Sequence, residues 1–397
     1  MTTRMIIEKL DNEGRGIGYK DGKIVFINNA LPEEEVNVQI IKEKKKYMEG
    51  VTTDIITSNS MRVKPKCPFY DKCGGCNIMH MGIESQEDYK LQKSKDILHK
   101  YAGIDNEIKL VKSNKELYYR NKITLKVKNG KWGYYNLNTH TLCEINNCLL
   151  VNNSINNIIS NKDKFKIING SIVIRSNNKD EILIAIESKD KVIIDNDLPS
   201  NIVGIVINDK TYYGDNYFYD EIGDMKFKIS YNSFFQINNY IASEIFKILK
   251  FNLNGENLLD LYCGVGVMGL SLKDNFKTIY GIEKIENAIL NAKENASINN
   301  VENANFFAGD TGTILKKIDK SFDTVIVDPP RSGLNEETIN KILEINPKTI
   351  AYISCDQMTL ARDLKVLTEN YYISKLSILD MFPNTYHVET VCILGRR

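Results

Sequence analysis

No run of apolar residues in this 397-residue chain approaches the roughly 18 that a membrane-spanning helix needs, which excludes a helical integral membrane protein and any membrane partner. The opening stretch, MTTRMIIEKLDNEG, lacks the hydrophobic centre of a secretion signal, so a cytoplasmic location is expected. Internal repeats and low-complexity tracts are absent too, which excludes solenoids and disordered tails. Net charge is almost absent at +1, so any face that binds a polyanion has to be local. Such a face exists. Residues 61–132 carry 16 Lys or Arg against 8 Asp or Glu, which leaves the rest of the chain acidic. The eight cysteines, in a reducing compartment, read as metal, cluster or catalytic thiols and not as a disulfide framework.

The chain is long enough for two or three domains. Residues 3–58 read as short strands. The Asp21-Gly22 turn before Val25–Ile27 predicts a hairpin, and so many strands in so short a stretch suit a five-stranded barrel of the OB type. A charged helix is predicted over 84–101, and strand-like runs from 117 to 230 (KITLKV, SIVIRS, EILIAIES, VGIVIND, MKFKIS) predict an α+β region. From about 237 the texture changes. Ile241, Ala242, Ile245, Phe246, Ile248 and Leu249 mark one helical face, and then strands (NLLDLY, TIYGIE, ANFFAGD, FDTVIVDPP, TIAYISC) alternate with helices, the pattern of a parallel, doubly wound, Rossmann-like α/β sheet. The tail ISKLSILDMFPNTYHVETVCILGRR predicts a hairpin that adds an antiparallel edge strand. The expected fold is therefore multidomain: an N-terminal β-barrel over 1–59, an α+β central domain over 60–230, and an α/β domain over 231–397.

Gly264, Gly266 and Gly269 spell G-x-G-x-x-G, with Glu283 about twenty residues beyond, which taken alone suggests a dinucleotide. Any nucleoside laid over a strand-to-helix turn needs the first two glycines, however. Asp260, ahead of the turn, can meet a positive group such as the ammonium of S-adenosylmethionine (SAM). Glu283 can hold ribose hydroxyls, and Asp310 is placed for an adenine amino group, while Gly269 reads as incidental helix packing. Asp328-Pro329-Pro330 makes a rigid turn after the fourth strand. Arg331 follows where enzymes that methylate exocyclic amino groups carry an aromatic, which points to carbon or another acceptor. Cys355, in SCD at a strand-to-helix junction, is expected to gain thiolate character from the helix N-terminus, with His387 and Glu389 supplied by the terminal hairpin. A thiolate and a base are what methylation of uracil C5 requires: addition at C6 makes C5 nucleophilic, and a base must then remove the C5 proton. A base held in folded RNA has first to be flipped out. Cys67, Cys73 and Cys76, as C-x5-C-x2-C with Gly74 and Gly75 between the last two, suit an iron–sulfur or zinc centre, with Cys143 or Cys148 as the fourth ligand.

In combination these motifs resemble the SAM-dependent RNA (uracil-5-)-methyltransferases, most of all the subgroup acting on 23S ribosomal RNA with a TRAM (OB-like) domain and a 4Fe–4S cluster. GIGYKDGKIVFINNALPEEEV is similar to the TRAM domain, and CPFYDKCGGCNIMH to the cluster motif. The resemblance makes Cys148, in EINNCLLV, the fourth ligand. It implies RNA contacts from YYRNK (Arg120, Lys122) and SAM contacts from Gln236 in NSFFQIN, Tyr262, Gly264 and Gly266 in DLYCGVG, Glu283 in GIE, and Asp328 in DPPRSGL, beside Asp260 and Asp310. It makes Cys355 the nucleophile and Glu389, in FPNTYHVET, the base. Two departures lie in the N-terminal domain: the family's Pro-Gly-Glu is Pro32-Glu33-Glu34 here, and its Pro-Ser before the arginine is Asn59-Ser60. The expected function is methylation of a uridine in RNA to 5-methyluridine, in 23S rRNA, with tRNA as the alternative substrate and no protein partner implied. A non-catalytic RNA-binding protein on a degenerate methyltransferase fold, or a nicotinamide-dependent dehydrogenase, leaves SCD and the terminal glutamate without a role.

Overall fold

The computed structural model describes residues 2–136, 141–315, 318 and 320–397. The chain gathers into two compact units. The first holds Met1–Lys93, Gly133–Ile145 and Phe382–His387; the second holds Ser94–Trp132, Asn146–Met381 and Val388–Arg397. Among the described residues, no helix is long and apolar enough to cross a membrane.

The first unit starts with one sheet of six strands: β1 (Thr2–Ile6), β2 (Lys9–Leu10), β3 (Gly16–Lys20), β4 (Lys23–Asn28), β5 (Glu35–Glu43) and β6 (Tyr47–Thr57). Their order is β1-β5-β6-β4-β3-β2, one strand more than the five expected. Alternation drives it. Met5, Val25, Ile27, Val36, Val38 and Met48 point inward and form one core. The predicted hairpin is present, with Lys20 opposite Lys23 and both turn residues left-handed, Asp21 at φ 50° and Gly22 at φ 74°. Glu34 is fully buried and takes a two-pronged contact from Arg62 (Nε to Oε1, 2.5 Å; Nη2 to Oε2, 2.6 Å), which pins the segment after β6 to the sheet. The chain leaves this unit within α1 (Ile83–Ala102), where the charged helix was predicted. In the same unit Gln86 accepts the Asn384 N–H (2.9 Å) and Lys90 donates to the Phe382 carbonyl (3.1 Å), which holds the loop 382–387.

Besides two two-stranded ladders (Phe165–Lys166 with Ile193–Ile194, and Tyr217–Ile222 with Met225–Ser230), the second unit carries two larger sheets. The smaller runs β8 (Lys122–Lys128), β9 (Asn169–Ser176), β10 (Ile182–Glu187), β11 (Ile202–Ile207) and β12 (Lys210–Gly214), antiparallel except between β10 and β11. The larger follows α2 (Asn239–Asn252), whose buried face is Ile241, Ala242, Ile245, Phe246 and Leu249. It is built from β13 (Gly255–Leu261), α3 (Val267–Ser271), β14 (Phe276–Glu283), α4 (Glu286–Ile298), β15 (Ala304–Ala308), α5 (Thr311–Leu315), β16 (Thr324–Val327), α6 (Glu336–Ile345), β17 (Thr349–Ser354), α7 (Gln357–Leu367), β18 (Tyr371–Leu379) and β19 (Glu389–Arg396). With β7 (Lys109–Val111) at the far edge, its order is β15-β14-β13-β16-β17-β19-β18-β7. The first five strands are parallel, and the order reverses between β13 and β16, where such sheets open a crevice. The terminal hairpin adds antiparallel strands as expected, but β19 enters between β17 and β18, and the edge is closed by β7 from far earlier in the chain.

Candidate active site

The crevice is framed by the turn after β13. Tyr262 (φ 63°), Gly264 (φ 54°) and Gly266 (φ 84°) all adopt left-handed backbone, a costly conformation for tyrosine. A side chain on Gly264 would meet nothing within 4 Å, so the space over this turn is open to a ligand. The Tyr262 hydroxyl lies 3.3 Å from Thr338 Oγ1. Asp260, one residue before the end of β13, is 1% exposed. Its Oδ2 accepts the Gly269 N–H (2.9 Å), and its Oδ1 is buried without a partner among the described residues. Burial pushes this carboxyl up to about 8, against the Gly269 hydrogen bond, with Asp328 and Glu283 adding repulsion. Gly269 is therefore not incidental packing: a Cβ there would stand 2.9 Å from Asp260 Oδ2, so only glycine lets the helix donate to the carboxylate.

Glu283, at the end of β14, accepts from Gly264 N–H (3.3 Å) and Ile285 N–H (3.0 Å), which ties the two turns together. Gln236 is buried in the turn before α2, where its carbonyl accepts from Asn121 Nδ2 (3.0 Å). Asp310 is exposed and accepts the Thr313 N–H (3.2 Å) at the start of α5, the contact of a helix cap. An orphaned buried carboxylate oxygen, with Glu283 and Asp328 acting on the same carboxyl, suits a cationic ligand such as the ammonium and sulfonium of SAM. It does not suit the pyrophosphate of a dinucleotide.

Sheet register brings the reactive groups together. Asp328 directly follows β16, and Cys355 directly follows β17. Ser354 pairs with Thr390, so one step further along the same antiparallel register Cys355 stands opposite Glu389, the first residue of β19. Three side chains from neighbouring strands thus meet at the C-terminal edge of the parallel strands. Burial pushes the Cys355 thiol up to about 11; Glu389 raises it further, Arg331 opposes, and Asp328 and Asp356 add to the rise. Glu389 is 4% exposed, and burial, with Asp328 beside it, raises its carboxyl well above the usual range against the pull of Arg331. Asp328 is pushed up to about 7 by desolvation. The expected thiolate activation by the helix N-terminus is not what the structure contains. Asp356 caps α7, and its carboxylate takes the Met358 (3.1 Å) and Thr359 (2.9 Å) N–H groups, so the first turn offers the sulfur little positive potential. Arg331, read in the sequence only as a missing aromatic, is, among the described residues, the one cation that acts on both the thiol and Glu389. His387 falls in the first unit, stacked on Tyr386 with ring centres 4.1 Å apart.

Cys67, Cys73 and Cys76 are half-buried in the first unit, and the Gly75 N–H points at Cys73 Sγ (3.4 Å). Cys148 is a free thiol of the second unit, and Cys143 is buried in the first. Among the described residues no three Cys, His, Asp or Glu side chains stand close enough to hold a metal ion. No step of the chemistry is routed through a cluster. Arg120 and Lys122 stand at the start of β8, half-buried.

A family model described as tRNA (uracil-5-)-methyltransferase matches residues 82–397, and a TRAM domain model matches residues 2–52. Relatives include proteins described as uncharacterized RNA methyltransferases from Clostridium tetani and Aquifex aeolicus. Each is 34% identical, over 99% and 98% of this chain and 96% and 98% of their own lengths. Among solved structures, the tRNA (uracil-54, C5)-methyltransferase of Pyrococcus abyssi in complex with S-adenosyl-L-homocysteine is 28% identical with a TM-score of 0.81, covering 99% of this chain and all of that one.

Proposed function

The chain belongs to the tRNA (uracil-5-)-methyltransferase family, SAM-dependent enzymes that act on RNA, and on that premise we propose that Cys355 and Glu389 divide the methylation of a uridine C5 between them. The Cys355 sulfur, once it has lost its proton, adds to C6 and moves the ring electrons toward C5 as an enolate. C5 takes the methyl group that SAM supplies. The Glu389 carboxylate then removes the proton from C5, the C5–C6 double bond re-forms and the C6–S bond breaks, with one proton released overall. Arg331 favours the thiolate, and Asp328 keeps Glu389 basic. Asp260, Gly264, Gly266, Glu283, Tyr262, Gln236 and Asp310 hold the cofactor in this reading, with Asp260 Oδ1 on the ammonium.

The observation that carries it is the register across β17 and β19, which sets Cys355 opposite Glu389. RNA containing 5-fluorouridine tests it, since fluorine cannot leave as a proton. Wild-type protein is expected to form a covalent adduct that Cys355→Ala does not form. An adduct that survives in the alanine variant overturns the assignment.

The substrate reading is 23S rRNA, on the TRAM stretch and the CGGC motif. The P. abyssi neighbour, a tRNA (uracil-54, C5)-methyltransferase, favours the second reading. Methylation of total RNA with labelled SAM, followed by separation of rRNA from tRNA, decides between them. A 4Fe–4S cluster on Cys67, Cys73, Cys76 and Cys148 rests on the C-x5-C-x2-C spacing and on the family resemblance, and iron and sulfide assays after anaerobic purification test it. Arg120 and Lys122 are read as RNA contacts.

A further inference from the structure

The start of β8 holds an electrostatic arrangement that the reaction does not explain. Lys122 pairs directly with Arg175 across the β8–β9 register. Like charges set directly opposite one another destabilise a sheet. Arg175 is 4% exposed; its Nη2 donates to the Ser233 carbonyl, and its Nε is buried without a partner among the described residues. Arg120 Nε is likewise buried and unpartnered. Burial lowers Arg175 to about 10 and Lys122 to about 8, with Arg175 and then Arg120 adding to the effect on Lys122. Among the described residues no carboxylate contributes to either shift. Among the described residues, three cations therefore converge with no carboxylate among the groups acting on them; the acid that lines the adjoining hollow, Asp180, is engaged by Ser154 Oγ, and buried charge of this kind requires a partner.

We propose that Arg120, Lys122 and Arg175 form the seat of one backbone phosphate of the RNA substrate, an inference that rests on the RNA-methyltransferase reading. Arg120 and Lys122, the partly exposed pair, touch the phosphate. Arg175 is a positioning residue: it lends its charge from beneath and fixes Ser233, three residues before Gln236. A phosphodiester suits this seat because guanidinium forks match its oxygens, and because a single negative charge leaves the cluster net positive toward the next phosphate. Beside it opens a polar hollow of about 250 Å³ whose walls include Tyr118, Asn121, Asn152, Asn177 and Tyr240. Tyr118 is 42% exposed and offers a ring face to an adjoining base.

The test measures binding of a fluorescent twelve-residue oligouridylate to the full-length protein across a series of KCl concentrations. Wild type should show a negative slope of log affinity against log salt. Arg120→Gln and Lys122→Gln should each flatten it by about 0.7, the release expected for one single-strand phosphate contact, and weaken binding about tenfold at low salt, with SAM affinity by calorimetry unchanged. Arg175→Gln should flatten the slope as well, and Arg175→Lys should recover most of it. Slopes unchanged in Arg120→Gln and Lys122→Gln overturn the seat. If Arg175→Gln lowers thermal stability and leaves the slope as in wild type, Arg175 is not part of it. Wild type that forms no 5-fluorouridine adduct defeats the methyltransferase reading instead, whatever the slopes.

Discussion

In the proposed reaction Cys355 acts as the nucleophile, yet every charged group acting on it but Arg331 holds its proton in place. Glu389 is the largest of the charged contributors, so Glu389→Gln should have two separate effects. Without the carboxylate the thiol pKa falls, and alkylation of Cys355 by iodoacetamide at pH 8, followed by peptide mapping, should be faster than in wild type. Without the base, elimination stalls, and the variant should accumulate covalent protein–RNA adduct on ordinary uridine RNA, seen as a shifted band on a denaturing gel. Slower alkylation, or no adduct on RNA that wild type methylates, contradicts the assigned roles. Asp260 gives a pH dependence with a definite sign. Its folded-state pKa of about 8 lies above the ~4 of an unfolded carboxyl. The folded state therefore holds the proton more tightly, and that stability is present below about pH 4 and lost as pH rises through 8. Asp260→Asn removes this linkage, so its melting temperature should gain on wild type steadily from pH 5 to 8. A cationic ligand on Oδ1 pulls the other way, so SAM binding at pH 7 should release a proton in wild type, visible as buffer-dependent heat, and release less in Asp260→Asn.

Local signals were legible where one residue type decides the backbone and misleading where a side chain chooses between two partners. The glycine turn after β13 and the Asp21-Gly22 hairpin were both readable, since left-handed backbone is reserved for few residues. The junction at SCD was not. The letters do not say whether Asp356 turns back to cap α7 or leaves the helix dipole to the sulfur. Asp356→Ala should cost about 1 kcal/mol in urea unfolding, and Asp356→Asn, an equally good cap, should cost almost nothing. The departure at Glu33 has a physical reading of the same kind. Glu33 sits at φ 62°, at the position where the TRAM pattern that the sequence resembles has glycine. Glu33→Gly should therefore stabilise the protein by about 0.5–1 kcal/mol, the penalty of left-handed backbone less the added freedom of the unfolded chain. A loss of stability in urea contradicts that account.

At the scale of the molecule, alternating strands and helices announced the parallel sheet, and the ends of its strands announced Asp260, Glu283, Asp328 and Cys355. The insertion of β19 between β17 and β18, the closure of the edge by β7, and Arg175 beneath Lys122 were not announced, because they depend on pairings between segments tens to hundreds of residues apart. The division of the chain was hidden for the same reason. Residues 133–145 and 382–387 fall in the same unit as the N-terminal sheet, far from it in sequence. The backbone passes between the units five times, so no single linker separates them. This covalent arrangement predicts that they unfold together. Glu34 allows the test, being fully buried under the fork of Arg62 in the first unit. Glu34→Ala leaves that guanidinium facing no carboxylate, which costs about 3–5 kcal/mol for a buried pair. The only tryptophan, Trp132, is fully buried in the second unit, against Phe165. If the units are one cooperative structure, Glu34→Ala should lower the urea midpoint read by Trp132 fluorescence as far as the midpoint read by circular dichroism. A tryptophan transition that stays at the wild-type midpoint while the circular dichroism shifts means instead that the N-terminal sheet melts alone.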